Sequence, residues 1–213
     1  MRTTLKPLLL LVSMAIATAS FFACNISTNN DSNKKRVEGK GDLVQKTIDL
    51  DSFTAIDIEG QADVKVTYGP KQIVKVQAQA NILELLDFTV TEGKLTIGTK
   101  SNYSIQHSKG ITVEIVTPNA ITDYSISGAG NISIAGKPQQ NLNIKIAGAA
   151  KFDAFELEAD NVSIDIAGAA DCDVKAAKTL DVSIAGTGSV KYKGNPTVNK
   201  SIAGIGSVKK DAE

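Results

Sequence analysis

From Phe53 onward the chain alternates apolar and polar residues with a period of two, in runs such as IDIEGQADVKV, IVKVQA and FTVTEG. Five segments repeat that alternation around a glycine turn: SISGAGNISI, IKIAGAAKFDA, IDIAGAADCDV, VSIAGTGSVKY and SIAGIGSVKK. They align on Gly128, Gly148, Gly168, Gly186 and Gly204, at spacings of 20, 20, 18 and 18 residues, and a more distant copy centres on Gly60. Two residues before each glycine stands Ile58, Ile126, Ile146, Ile166, Ile184 or Ile202. Two residues after it stands a small residue in every copy: Ala62, Gly130, Ala150, Ala170, Gly188, Gly206. The fourth position after it is Val64, Ile132, Phe152, Cys172, Val190 and Val208, while the odd positions between are mostly Asp, Lys, Ser or Asn. Strict alternation with β-branched residues on one face marks strands, and no segment of the array shows the 3.6-residue period of a helix.

Each copy therefore reads as strand, tight glycine turn, strand. Antiparallel hairpins in a meander and successive coils of a parallel solenoid both meet that pattern. The identity of residues down each column favours the solenoid, because stacked coils about 4.8 Å apart place like side chains over one another. The expected fold is all-β, a right-handed parallel β-helix (β-solenoid) with coils of 18–20 residues, its hand following the crossover rule for parallel strands. In the last copy Lys200 and Lys210 stand where earlier copies carry apolar or neutral residues, and Lys209 lies beside them. Charge on a terminal strand blunts an edge that would otherwise recruit another chain. Between Phe53 and Ile97 the alternation continues without the glycine register, and residues 98–109 read as a polar loop.

The beginning of the chain has a different character. Arg2 and Lys6 precede an apolar run from Leu8 to Ala19, and the stretch closes on Ala23-Cys24. That is the charged region and apolar core of an export signal over residues 1–23, too short to span a bilayer comfortably. A small residue directly before Cys24 resembles a bacterial lipobox, which makes Cys24 the expected lipidation site and the membrane a partner through its acyl chains. Residues 24–42 are polar apart from Ile26 and Val37, cannot repay their ordering entropy, and read as a flexible tether to a domain over residues 43–213.

Composition narrows the function. With 23 Lys and Arg against 23 Asp and Glu, no basic surplus exists for counterion release, so nucleic acid is not an expected partner. One His and two Cys are too few for a Cys/His zinc cluster or a disulfide framework. The Gly-x-Gly turns lead into strands rather than helices, so they are neither P-loops nor dinucleotide fingerprints. The glycines Gly60, Gly128, Gly148, Gly168, Gly186 and Gly204 instead supply left-handed backbone and close approach between coils.

Carboxylates are the one candidate for chemistry. Asp153 and Asp173 occupy the same column in adjacent coils, with Asp171 nearby, and stacking would bring the first two within roughly 5 Å, near enough for a cation. Lys151 over Asp171, Lys191 after Asp173 and Lys145 before Asp165 argue instead for ladders of opposite charge. No catalytic residue, cofactor or firm metal site is expected; Asp153, Asp171 and Asp173 are weak metal candidates. His107 has no nucleophile to serve and reads as an exposed loop residue, and Cys172 reads as a small core hydrophobe. Tyr103 and Tyr192 are possible contact points for a glycan or protein.

Residues 43–208, through FTAIDIEGQADVKVTYG, GKLTIGTK, VEIVTPNAITDYSISGAGNI and the repeated glycine turns, resemble the head GIN-domain family of "putative auto-transporter adhesins" of Gram-negative gut bacteria. The resemblance implies a right-handed parallel β-helix lipoprotein of the outer membrane without established catalysis, an adhesion role and a homotrimer. The expected function is a cell-envelope lipoprotein with a non-catalytic interaction surface, an adhesin or envelope scaffold, with a protein or glycan ligand. A carbohydrate-active β-helix enzyme using Asp153, Asp171 and Asp173, and an envelope ligand-sensing module, remain as alternatives.

Overall fold

The computed structural model describes residues 34–211. The export signal of residues 1–23, Cys24 and the first part of the tether lie outside the described residues. The strands are β1 (Lys35–Val37), β2 (Leu43–Ile48), β3 (Ala55–Ile58), β4 (Asp63–Tyr68), β5 (Ile73–Gln79), β6 (Leu86–Thr91) and β7 (Lys94–Thr99). They continue as β8 (Tyr103–Ile105), β9 (Thr112–Thr117), β10 (Asp123–Ile126), β11 (Ala129–Ala135), β12 (Gln139–Ile146), β13 (Ala149–Lys193) and β14 (Thr197–Lys210). One helical turn, α1 (Ala80–Leu83), follows β5 and buries Ile82; the alternation of the sequence contains no hint of it.

Twelve strands form one mixed sheet in the order β2-β5-β9-β4-β11-β13-β12-β10-β3-β7-β6, with β14 added to β13. The right-handed parallel β-helix expected from the repeats is therefore incorrect: the sheet curls into a half-barrel and carries antiparallel pairs, β2 with β5, β5 with β9 and β6 with β7. Turn length is one physical reason. Glu92 and Gly93 alone join β6 to β7, both with left-handed backbone (φ 52° and 73°), which is a two-residue hairpin turn. A parallel crossover needs a dozen residues or more, so a link this short can only reverse the chain.

The glycine-turn copies pair in parallel and in register. Ile126 lies beside Ile58 and Ile146, Ile146 beside Ile166, and Ile184 beside Ile202. Ile58, Ile126, Ile146, Ile166 and Ile184 are all buried, as are Val64, Ile132, Phe152, Cys172 and Val190 from the other side of the turn. Each such branched side chain removed from water contributes roughly 1.5–3 kcal/mol, so one column supplies much of the core. Tyr124 packs edge-on against Phe152, with ring centroids 5.3 Å apart and planes at 78°. The last copy has no strand beyond it among the described residues: Ile202 is 37% exposed and Ile205, in the turn, 78%.

Glycine serves two separate purposes in the turns. At Gly60 the backbone is left-handed (φ 113°) and nothing stands where a Cβ would go, so conformation alone requires it. Gly148 has no left-handed backbone, but a Cβ there would be driven into the carbonyl oxygen of Gly128 in the neighbouring copy. That same oxygen accepts the Ala149 N–H at 2.9 Å, and the Gly148 oxygen accepts the Ala169 N–H at 2.8 Å. The hydrogen-bond ladder thus runs straight through the turn, and only a residue without Cβ lets it do so.

The tether ends earlier than its composition implies. Lys35–Val37, inside the segment read as flexible, forms strand β1 parallel to β8, and β8 in turn lies inside the segment read as a polar loop. Val37 packs against the core, and the Gly39 N–H donates to the His107 carbonyl at 2.6 Å. Two short segments that cannot order separately do so together. Gly148→Ala is expected to lower stability by about 2–3 kcal/mol, read as a shift in the chemical-denaturation midpoint, because backbone rather than a yielding side chain opposes the new methyl. An unshifted midpoint would show that the ladder does not depend on that contact.

Candidate functional site

Among the described residues, Asp153, Asp171 and Asp173 do not gather with a further His, Cys, Asp or Glu into a metal-holding group. Asp171 is exposed, whereas Asp153 and Asp173 are half-buried, and the Asp153 Oδ1 accepts the Phe155 N–H at 3.2 Å. Desolvation holds the Asp173 carboxyl above its ordinary range; Lys191 and Lys151 pull it down, and Asp153 and Asp211 push it further up. Among the described residues, no group of three His, Cys, Asp or Glu side chains is placed to hold a metal ion. Among the described residues, the expected pairs of Lys151 with Asp171, Lys191 with Asp173 and Lys145 with Asp165 do not close to ion-pair distance, and opposite charges meet across rungs at other positions. Lys145 and Asp165 are register partners, yet the close ion pairs are Lys178–Asp160 (2.8 Å), Lys175–Glu158 (2.9 Å) and Lys94–Asp57 (3.4 Å).

Neutral amides link the outward columns instead. Asn131 Nδ2 donates to Asp63 at 2.8 Å, Asn143 Nδ2 to Asp123 at 2.9 Å and Asn199 Nδ2 to Asp181 at 2.7 Å. A third column runs from Asn141 through Asn161 to Thr179, with bonds of 3.1 and 3.0 Å. Side chains one rung apart reach each other with amide length, and an Asn–Asp bond satisfies the carboxylate without a second charge.

The other single residues fall as follows. Cys172 is fully buried and its thiol is pushed up to about 12 by burial, with Asp173 and Asp171 adding to the shift, so it stays protonated. His107 is 86% exposed, 3.9 Å from Glu38. Tyr192 packs its ring against the core, and Tyr103 is half-buried in β8.

A cleft of about 320 Å³ lies where three separate connections meet: the end of β4, the β9–β10 loop and the β11–β12 loop. Pro118 ends β9 because it has no N–H for the ladder, and Thr117 Oγ1 accepts the Asn119 N–H at 3.1 Å to set the turn. Buried Ile121, Ile134, Leu157 and Tyr124 make an apolar floor. The rim is polar: Lys137 Nζ donates to the Tyr68 hydroxyl at 2.8 Å and sits 4.1 Å from its ring centroid. Gln139 Nε2 braces the wall by donating to the Ile121 and Asn141 carbonyls at 3.2 and 2.8 Å. The Tyr124 hydroxyl is sealed without a protein partner, and burial raises its pKa, so it is a neutral phenol at any physiological pH. Apolar floor and polar aromatic rim suit recognition of a small group by packing with a few hydrogen bonds. Sequence reasoning passed over Tyr68 and Lys137, which lie 69 residues apart; only TYGPK, an aromatic at a strand end before Gly-Pro, marks the first of them.

The fold is all-β, a curled mixed sheet in which the glycine-turn copies pair in register. The chain belongs to the family described as "Putative auto-transporter adhesin, head GIN domain", whose profile matches residues 52–141 and 120–196. It is similar to a solved structure described as a putative adhesin from Bacteroides fragilis NCTC 9343, with 20% identity, 82% of this chain and 100% of that chain covered, and a TM-score of 0.56, which establishes a shared fold. Lesser likenesses include a putative lipid binding protein from Parabacteroides distasonis ATCC 8503 (20% identity, 84% and 100% covered, TM-score 0.38). Another is a putative adhesin from Parabacteroides merdae ATCC 43184 (17% identity, 83% and 99% covered, TM-score 0.37). No curated protein matches the chain.

The raised Asp173 carboxyl makes a signed prediction. A native pKa above the unfolded value means that the native state binds more protons in that window, so stability falls as pH rises through it. Asp173→Asn removes that loss: the variant is expected to melt higher than wild type at neutral pH, with the gain vanishing below the ordinary aspartate range. A melting temperature lowered at neutral pH would mean that the charge is stabilising and its neighbours were misjudged.

Proposed function

We propose that this chain is a cell-envelope lipoprotein whose head acts as a non-catalytic adhesion module, holding a protein or glycan ligand at the cleft between Tyr68, Lys137 and Ile121. Family membership is the observation that carries the reading. The lipobox at Ala23-Cys24 supports anchoring through acyl chains in the outer membrane of a Gram-negative cell, where two or more chains hold stably and one does not. The cleft supports the position of the ligand: an aromatic with a paired cation at the rim is the kind of group that dominates binding surfaces, and the loops that carry the rim are short links between paired strands.

Two experiments test the two halves. Cys24→Ala is expected to move the protein from the membrane to the soluble fraction, and unchanged partition would remove the anchor. Once a screen of host glycans and matrix proteins has identified a ligand, Tyr68→Ala is expected to weaken binding by about tenfold or more with an unchanged melting temperature. Tyr192→Phe, against the core, should leave binding as it is. Equal affinity for all three proteins would move the ligand away from the cleft.

A further inference from the structure

A second concave region lies at the opposite kind of place, where the chain enters the described domain. The ribbon of β1 and β8, with Leu85 and Asn81 behind it, walls an open groove of about 700 Å³ lined by Lys35, Arg36, Lys40, Tyr103 and His107. Lys35, Arg36 and Lys40 are exposed, and among the described residues none has a carboxylate within ion-pair distance. The nearby acids are partly occupied: Glu38 faces His107 at 3.9 Å, and Asp42 faces Lys109 at 3.6 Å. Lys100 Nζ is held by the Glu84 carbonyl at 2.8 Å.

The two side-chain amides of the groove are already engaged. Asn81 Nδ2 donates to the Glu38 carbonyl at 2.8 Å while its Oδ1 accepts the Lys40 N–H at 2.9 Å, and Gln106 Nε2 donates to Ser104 Oγ at 3.0 Å. With Lys35, Arg36 and Lys40 against Glu38, the groove lining carries an excess of positive charge and has its amides engaged, which fits a charged surface better than a sugar that needs several placed hydrogen bonds. Its location points the same way. Ten peptide steps separate Cys24 from Lys34, a reach of at most about 35 Å, so acylation of Cys24 keeps this face within a short distance of the bilayer.

We propose that the Lys35, Arg36 and Lys40 face docks on the anionic phospholipid surface of the membrane that anchors the chain. The proposal rests on the acylation of Cys24 for its biological setting, but the contact itself is electrostatic and needs no acyl chain. Docking would orient the head, holding β1 toward the membrane.

The test uses the mature chain from residue 24 with Cys24→Ser, which carries no lipid, so its failure is distinct from failure of the lipobox. Sedimentation with phosphatidylcholine vesicles containing phosphatidylglycerol is expected to exceed that with phosphatidylcholine alone by roughly a hundredfold in partition coefficient at low salt, and to fall as salt rises. Lys35→Ala with Arg36→Ala and Lys40→Ala should abolish the preference, and Lys35→Arg with Lys40→Arg should keep it. Equal partition onto both vesicles, an unchanged preference in the triple alanine variant, or binding of heparin without binding of vesicles would each overturn the proposal.

Discussion

The structure depends on one close approach. From the Gly128 turn onward, the carbonyl oxygen of one copy occupies the space that a Cβ in the next would fill, and at Gly128, Gly148 and Gly168 it accepts the N–H of the residue that follows. The ladder is uninterrupted from strand through turn to strand, which is how β13 continues for 45 residues. Backbone cannot shift aside as a side chain can, so the contact fixes register as firmly as the isoleucine column does. The two constraints reinforce each other: slipping by one residue would expose every buried isoleucine and set a Cβ against a carbonyl.

That register also determines where a ligand can be held. Strands β4, β9, β11 and β13 are far apart in sequence yet neighbours in the sheet, and the cleft opens where their connections leave the ladder. Inside the array, turns such as Gly128-Ala129-Gly130 and Gly148-Ala149-Ala150 are built of small residues and offer little more than backbone. Only where a connection lengthens, at Pro118-Asn119-Ala120 and Gly136-Lys137-Pro138, is there room for a cation, an amide and an aromatic around an apolar floor. A regular repeat supplies rigidity, and its irregular links supply chemistry.

Electrostatics divides along the same line. The outward columns satisfy some carboxylates with Asn amides one rung away, at 2.7 to 2.9 Å, and others with lysines, as at Asp160, Glu158 and Asp57. A short amide bridges a single rung without ordering a long side chain, and an exposed Lys–Asp pair would contribute little. The balance of 23 positive and 23 negative residues is therefore only in part a set of stacked pairs. Charge is left uncompensated locally, most clearly on β1.

Period-two alternation and the repeated glycines were enough to identify the strands of the glycine-turn copies, their buried faces and the neighbours of each copy, because those follow from local sterics and from identity down a column. The antiparallel end was not legible in the same way. For β6 and β7 the signal, two residues between FTVT and KLTI, is a turn length outside the repeat, and for β2, β5 and β9 the alternation is the same for either strand direction. The β1–β8 ribbon was hidden because its two segments are polar and short, and order only against each other. The carboxylate column was visible, but the choice between a metal, a lysine and an amide partner depends on side-chain reach across one rung. Pairing Tyr68 with Lys137 required the sheet itself. The sequence by itself determined an all-β array, its register and its membership of a family; the tertiary structure decided the mixed, curled sheet and the cleft, because strand direction and distant side-chain contacts depend on how the connections close in space.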